Sequence, residues 1–268
     1  METISVRKLS HANLHIDCDY GVAAELKEFF SFFVPGYRFM PAFKRRIWDG
    51  KIRLFDSNTG ELPAGLYYHF LKLCENRRYG VKLIKTKYGL ANDENKLSPK
   101  EIYEYSKELK LPWELRDYQF TGISHALKQK RAVLVSPTGS GKSLIIYYLI
   151  RWYLNNHNKK ILVIVPTTSL VEQMYSDFVE YNMPEEMAHK IYSGKDKTHD
   201  AQIFISTWQS IYKLPKIWFS QFGAVFGDEC HGFKSKSLMN IMNKATEAEY
   251  RFGTTGTLDG TQTHELVL

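Results

Sequence analysis

The eight residues SPTGSGKS, 136–143, set two glycines, a lysine and several hydroxyls at a spacing that suits gripping the phosphates of a nucleotide. The phosphate-loop pattern is G-x-x-x-x-G-K-[ST], and Ser136 stands here in its first position. AVLVS before the loop reads as a buried strand and SLIIYYLIRWYL after it as a helix, the order that the pattern requires. Backbone N–H groups from Thr138 to Lys142 then converge on phosphate oxygens at the helix N-terminus, where the partial positive charge favours anions. The expected nucleotide-binding set is Ser136, Pro137, Thr138, Gly139, Ser140, Gly141, Lys142 and Ser143. Lys142 would reach the terminal phosphates, and the Ser143 hydroxyl would take one position on Mg2+.

A magnesium site also needs a carboxylate. FGAVFGDECH provides one at the end of another apolar stretch, where Asp228 would hold Mg2+ through water and Glu229 would orient and deprotonate the attacking water. An adjacent Asp-Glu at a strand end is also a common solvated pair, and a lone glycine-containing loop can be an accidental turn. The two together, with several strand–helix units between them, read as an ATP site with Mg2+.

The elements that must position these residues follow from periodicity. From about Leu115 the chain shows short, wholly apolar strands, AVLVS, KILVIVP, QIFIST and AVFGDE, separated by helical stretches. That pattern predicts a parallel sheet covered on both faces. Upstream the order is mixed. ISVRKL and NLHIDC alternate like strands, VAAELKEFFSFFV reads as a helix stopped by Pro35-Gly36, LYYHFLKLCENRR as a second helix and GVKLIKT as a closing strand. RRIW-DG-KIRLF has the form of a hairpin turning at Asp49-Gly50. We therefore expect a small α+β domain over 1–97, a polar linker over 98–112 with a short exposed helix starting near Ser98-Pro99, and an α/β nucleotide-binding lobe over 113–268.

With the loop and the acidic pair in place, other segments fall into a recognisable order. DECH at 228–231 after SPTGSGKS resembles the DExH group of superfamily 2 helicases and translocases. LRDYQ at 115–119 is similar to the family's adenine-recognition segment, which implies contacts from Arg116 and Gln119. IVPTTSLVEQ at 164–173 and ISTWQSI at 205–211 resemble the two strand-tracking motifs, so Pro166, Thr167 and Thr207 would meet the sugar-phosphate backbone of one DNA strand. RFGTTGTL at 251–258 resembles the coupling motif, with His231, Thr255 and Thr257 relaying the state of the phosphates to that strand. A threonine near a strand end also commonly just bonds local backbone. Two departures from the family pattern are Ser136, which should change little, and Gly256 in place of alanine, which would loosen the coupling. The resemblance implies a RecA-like, P-loop lobe over 113–268, preceded by the small domain. It also implies that ATP closes between this lobe and a second one bearing arginines. With the sequence ending at Leu268, we expect one lobe here and weak or no hydrolysis without its partner.

Net charge is +7, and residues 1–97 hold 16 Lys/Arg against 11 Asp/Glu, so +5 of it lies at the N-terminal end. GYRFMPAFKRRIWDGKIRLF, 36–55, has six Lys/Arg against one acidic residue, interleaved with aromatic rings. Lys44, Arg45, Arg46, Lys51 and Arg53 suit phosphates, and rings can stack on unpaired bases. Alternating rings are also commonly one buried face, so most are expected in the core, with Trp48 open to either role. Cys18, Cys74 and Cys230 are too dispersed for a disulfide framework or a zinc site and fit a reducing cytoplasm. No signal core precedes the first strand, and no apolar run is long enough to span a bilayer.

The expected partner is single-stranded or branched DNA, the expected activity that of an ATP-dependent DNA helicase acting in recombination, repair and replication, and the expected setting the cytoplasm, that of a host cell if a phage encodes the chain. An RNA-directed member of the superfamily, and a nucleic-acid-binding module with a regulatory nucleotide site, are the alternatives.

Overall fold

The computed structural model describes residues 3–192, 194, 196–231 and 236–257; the ends of both expected domains, 1–2 and 258–268, lie outside them. The chain divides into two compact units, one running to Asp93 and one starting at Glu94.

The first unit is built on β1 (Thr3–Lys8), β2 (Asn13–Asp17), α1 (Tyr20–Phe29), β3 (Ser31–Phe33), α2 (Pro41–Lys44), β4 (Lys51–Arg53), β5 (Glu61–Pro63), α3 (Tyr67–Arg77) and β6 (Gly80–Ile84). Four strands form a mixed sheet in the order β5-β2-β1-β6. Alternation does what the sequence pattern requires: Ile4 and Val6 of β1 and Leu14 and Ile16 of β2 are buried, with Val22, Leu26, Phe70 and Leu73 of the two longer helices also in the core. Asp19 starts α1 by accepting the Val22 N–H at 2.8 Å.

Two expectations for this unit are corrected. Helix α1 stops at Phe29, well before Pro35-Gly36, and Ser31–Phe33 leave it to pair antiparallel with Lys51–Arg53. The run is rich in phenylalanine, which suits a strand, and Phe30 and Phe32 are buried on that path. The expected hairpin across Asp49-Gly50 is therefore absent, because β4 takes its partner from the earlier segment. Residues on its other side are helical at Pro41–Lys44, and Arg46 sits at φ 55°, outside strand geometry. Asp49-Gly50 still turns the chain: Asp49 accepts the Lys51 N–H at 3.1 Å, and Gly50 has φ 83° with the Tyr37 ring filling the space a Cβ would need.

The second unit contains α4 (Pro99–Glu108), α5 (Asp117–Gln129), β7 (Arg131–Val135), α6 (Lys142–Asn156), β8 (Lys160–Val165), α7 (Thr168–Glu180), β9 (Ala188–Ile191), β10 (Ile203–Thr207), α8 (Trp208–Ile211), α9 (Lys216–Phe219), β11 (Phe222–Gly227), α10 (Lys236–Lys244) and β12 (Tyr250–Thr255). Six strands form a wholly parallel sheet in the order β7-β12-β11-β8-β10-β9. This is the RecA-like lobe. Its strands are apolar throughout because helices cover both faces: Ile161, Val163 and Val165 of β8 join the core beneath α5, α6 and α7, while Leu162 and Ile164 join the core with Ile211, Phe219 and Ile241. Strand order also decides where chemistry can occur. The loops after β7, β12 and β11 emerge side by side at the carboxyl edge, although their sequences are far apart.

Residues 98–112, expected as a linker, lie within this second unit. Helix α4 begins with the capping box of Ser98 and Glu101, at the expected place. Its Ile102 is 2% exposed, in the core beside α5 and α6, and the Ile102 carbonyl accepts the Tyr148 hydroxyl at 2.6 Å. One apolar residue per turn was enough to dock a helix whose composition otherwise reads as solvated.

Candidate functional site

The phosphate loop leaves β7 and turns at two left-handed glycines, Gly139 at φ 79° and Gly141 at φ 78°, before α6 begins at Lys142. Its shape is held from within and from outside. Ser136 Oγ donates to Ser140 Oγ at 2.5 Å, and Ser140 Oγ donates to the Pro137 carbonyl at 2.7 Å. The Ser140 carbonyl accepts from Gln119 Nε2 and from the Tyr118 hydroxyl, both at 2.9 Å. Gln119 is 3% exposed and its Oε1 accepts the Arg116 N–H at 2.9 Å, so the side chain is locked before it meets the loop. A Cβ on Gly141 would meet that amide at 2.5 Å, and the left-handed φ of 78° strains any residue that carries one, so both favour glycine here. Ser136 fits the family's first position because its own hydroxyl fastens the turn.

Lys142 and the acidic pair meet across the edge. Lys142 Nζ lies 2.7 Å from Glu229 Oε1, with both side chains partly buried. Burial works to raise the Glu229 carboxyl, but the bond and charge of Lys142, then the charge of His231, outweigh it and hold the pKa below the usual range. Glu229 is in the left-handed region at φ 50°, a conformation that costs a residue with a Cβ. Asp228 is 6% exposed, and its Oδ1 accepts the Thr254 hydroxyl at 2.7 Å. The Cys230 thiol is pushed up to about 12 by burial, which makes it a packing group and no nucleophile.

Residues 254–257 close the edge from β12. The Thr255 carbonyl accepts the Ser136 N–H at 2.8 Å, joining it directly to the phosphate loop. His231 Nδ1 is 3.1 Å from Thr255 Oγ1 and 3.3 Å from Glu229 Oε2, so one imidazole touches both motifs. Thr255 Oγ1 in turn donates to the Thr257 carbonyl at 3.0 Å. A Cβ at Gly256 would meet Lys142 Nζ at 3.7 Å, ordinary contact, so alanine would fit there without displacing anything.

The donor set suits a hard divalent cation. Ser143 Oγ and the Asp228 carboxylate are oxygen ligands of the kind Mg2+ takes, and a second carboxylate, Asp177, sits near enough to feel Asp228. Burial first, then the charges of Glu180 and Asp228, push the Asp177 carboxyl up, while a bond from Ser143 opposes them. A bound cation would relieve that crowding of negative charge.

The expected strand-contacting residues lie at the same edge, after β8 and β10. Thr167 is exposed and caps α7, its Oγ1 accepting the Leu170 N–H at 3.3 Å. Thr207 is 6% exposed, with its hydroxyl 2.9 Å from Ser210 Oγ. Pro166 is half-buried, and its carbonyl is 3.5 Å from Gln209 Nε2. Both threonines thus have local partners, as threonines near strand ends commonly do.

In the first unit, Lys44, Arg45 and Arg46 are exposed on α2 and its exit. Arg53 is exposed and paired with Asp49, while the half-buried Lys51 holds its Nζ 4.9 Å above the Phe33 ring. Trp48 donates its Nε1 to the Lys51 carbonyl at 2.8 Å and is half-buried. A groove of about 770 Å³ runs among Arg38, Phe43, Lys44, Arg46, Trp48 and Arg53. Of the interleaved rings Phe55 is in the core, whereas Phe39 is 80% exposed.

Sequence reasoning overlooked Tyr118, Thr254, Asp177 and Tyr181. Tyr118 adjoins Gln119 and could have been read with it. The other three act through side-chain meetings between elements that no spacing announces.

Comparison with known proteins agrees with this geometry. The family described as "Type III restriction enzyme, res subunit" matches residues 112–260, and "DNA helicase UvsW, N-terminal" matches residues 3–84. The chain is 40% identical over 265 residues to the ATP-dependent DNA helicase uvsW of Enterobacteria phage T4, covering 95% of this chain and 52% of that protein. It is 28% identical over 144 residues to the DNA 3'-5' translocase XPB2 of Sulfurisphaera tokodaii, covering 54% of this chain and 31% of that one. The crystal structure of the UvsW helicase from bacteriophage T4 superposes with a TM-score of 0.90 at 38% identity, over 100% of this chain and 97% of that one. The chain thus spans about half the length of the phage T4 relative. With a family match over more than half of its residues, and the loop, acidic pair and coupling segment meeting at one sheet edge, the chain belongs to the superfamily 2 helicases, in the family of the type III restriction enzyme res subunit.

Proposed function

We propose that this chain forms the ATP- and DNA-binding part of an ATP-dependent DNA helicase or translocase that remodels branched intermediates of recombination, repair and replication. The observation that carries the reading is the meeting of Lys142, Glu229, His231 and Thr255 at the mouths of neighbouring strands. Each of them touches the next, so a change at the phosphates is felt along the whole set.

The chemistry follows from these contacts. ATP would set its phosphates against the N–H groups of 138–142, and Lys142 would leave Glu229 for the terminal phosphates. Losing its cation, the Glu229 carboxylate becomes a better base and is turned toward the water that attacks the γ-phosphorus. Ser143 and Asp228 would hold Mg2+, which when bound would neutralise charge on the phosphate oxygens. Thr254 keeps Asp228 oriented. Gln119, with Arg116 and Tyr118 beside it, would meet adenine from the far side of the loop. His231 would lose or regain Glu229 as the phosphates change, and Thr255 and Thr257 would carry that difference toward the bound strand.

The DNA side is proposed on charge and placement. Pro166, Thr167 and Thr207 would follow the sugar-phosphate backbone. Lys44, Arg45, Arg46, Lys51 and Arg53, with Trp48, would hold duplex or a branch point through the first unit. Among the described residues no helix is long and apolar enough to cross a membrane.

The family resemblance supports arginine from a second lobe completing catalysis; such fingers are worth roughly 10³–10⁵ in rate. The test is ATP turnover with and without single-stranded and branched DNA, beside a Glu229→Gln control. Nucleotide binding with little turnover, raised by a longer chain that carries the second lobe, supports the reading. Strong DNA-stimulated turnover by the 268 residues, lost in the control, would overturn the dependence on a second lobe. RNA competing as well as DNA would overturn the assignment to DNA.

A further inference from the structure

The groove of about 770 Å³ in the first unit is walled by rings as well as by cations. Phe43 and Trp48 line it and are half-buried, while Arg38, Lys44, Arg46 and Arg53 line it and are exposed. The rings are fixed from behind. Phe43 meets Tyr37 edge-on at 4.8 Å, and Tyr37 is stacked on Phe33 at 4.6 Å and fills the space a Cβ on Gly50 would need. Trp48 is tied through its Nε1 to the Lys51 carbonyl at 2.8 Å. Arg46, left-handed at φ 55°, turns the chain after α2, and Trp48 beyond the turn lines the same groove as Phe43 on the helix.

Cations alone suffice for duplex DNA, whose phosphates lie on the outside of a rod with the bases covered. A concave wall of two fixed rings among four cations and one carboxylate suits a ligand that brings a planar ring and phosphates together. Its volume is that of a pocket able to enclose a small ligand. Two polar groups of the wall are already engaged. Trp48 has a single donor and spends it on Lys51. Asp49 accepts the Lys51 N–H at 3.1 Å and two bonds from Arg53, three of the roughly four acceptor sites of a carboxylate. Beside the rings there remain long, exposed cations, which suit phosphates whatever base lies between them.

We propose that this groove receives one unpaired nucleotide of a DNA branch point, its base lying on Trp48 and Phe43 and its flanking phosphates on Arg38, Lys44 and Arg46. This rests on the reading of the basic segment as DNA-binding, and adds a base to the phosphates as its ligand. An unpaired base costs less to seat than one drawn out of intact duplex. The groove therefore favours a fork, a bulge or a displaced strand over continuous duplex, which is the discrimination that the proposed helicase needs.

The test measures binding of the 268-residue chain, without nucleotide, to labelled duplexes of one sequence: fully paired, with one unpaired adenine as a bulge, and with an abasic residue as the bulge. Wild type, Trp48→Phe, Trp48→Ala and the double variant Lys44→Ala, Arg46→Ala are compared, each with thermal melting. Wild type should bind the adenine bulge roughly tenfold more tightly than either other duplex, the order that stacking of one base supplies. Trp48→Ala should bring that ratio to about one, and Trp48→Phe, which keeps a ring, should hold part of it. An abasic bulge bound as tightly as the adenine bulge would overturn the proposal, and this comparison needs no variant to fold. A ratio untouched by Trp48→Ala would overturn it too, as would equal losses on all three duplexes, the mark of a merely structural role. Failure of the underlying reading looks different: a double variant that binds every duplex as wild type does would show that the basic segment does not hold DNA, and the groove would then be no nucleotide site.

Discussion

The phosphate loop and the basic segment of the first unit are the two stretches richest in chemistry, and their side chains are held in opposite ways. In the loop and its neighbours, partners come from far along the chain: Lys142 meets Glu229, Ser136 meets Thr255, Ser140 meets Gln119. In the basic segment the side-chain hydrogen bonds are local, Trp48 with Lys51 and Arg53 with Asp49, and Lys44, Arg45 and Arg46 face solvent. The difference matches the ligand chemistry proposed for each. Transferring a phosphoryl group demands a few groups held to fractions of an ångström, which takes a buried, interlocked edge. Holding a polyanion demands only cations at phosphate spacing, and each acts nearly independently through counterion release.

The comparison can be broken from either side. Lys142→Ala should have the largest effect and abolish tight ATP binding in a calorimetric titration, since it removes the cation on the terminal phosphates. Affinity equal to wild type would dissolve the loop assignment altogether. Glu229→Gln should keep ATP binding but lower turnover in the chain extended by its second lobe by roughly 10²–10⁴. Wild-type turnover there would move the base elsewhere. Gln119→Ala removes one bond to the Ser140 carbonyl and one to the Arg116 N–H. At about 1 kcal/mol net for each, ATP affinity should fall roughly tenfold or more as the loop loosens. If it does not change, Tyr118 alone suffices to hold the loop.

On the other side, Arg45→Ala with Arg46→Ala should weaken DNA binding modestly and reduce the salt slope of log affinity by roughly 1.8 for duplex, about 0.9 for each phosphate that is no longer neutralised. Nucleotide binding should be untouched. An unchanged slope would return these arginines to a solvated surface. Non-additive losses from the single replacements would mean that the segment is as interlocked as the loop, and the contrast would fall.

Legibility followed the same division. The parallel sheet, the loop between β7 and α6, and the Asp228-Glu229 pair at the end of β11 were readable because each is written in contiguous residues with a period or motif. The start of α4 was readable for the same reason, through Ser98 and Glu101. What was missed depends on choices between partners. The hairpin at Asp49-Gly50 failed because Ser31–Phe33 competed for the same strand edge and brought buried phenylalanines with it. The linker reading failed to anticipate the burial of Ile102, since a few apolar residues in a charged helix carry little weight until a groove is there to receive them.

The order of residues alone was sufficient to specify the motifs of this chain: a phosphate-loop pattern, an acidic pair, threonines at a strand end and a basic segment, each encoded over a few neighbouring positions. Which of those groups meet was left to the fold. The insertion of β12 between β7 and β11 delivers Thr255 to Ser136 and Thr254 to Asp228, and the packing of α7 on α6 brings Tyr181 to Ser143. Such meetings arise from burying two apolar faces of one sheet at once, a balance struck over the whole lobe, and no local stretch of sequence carries it.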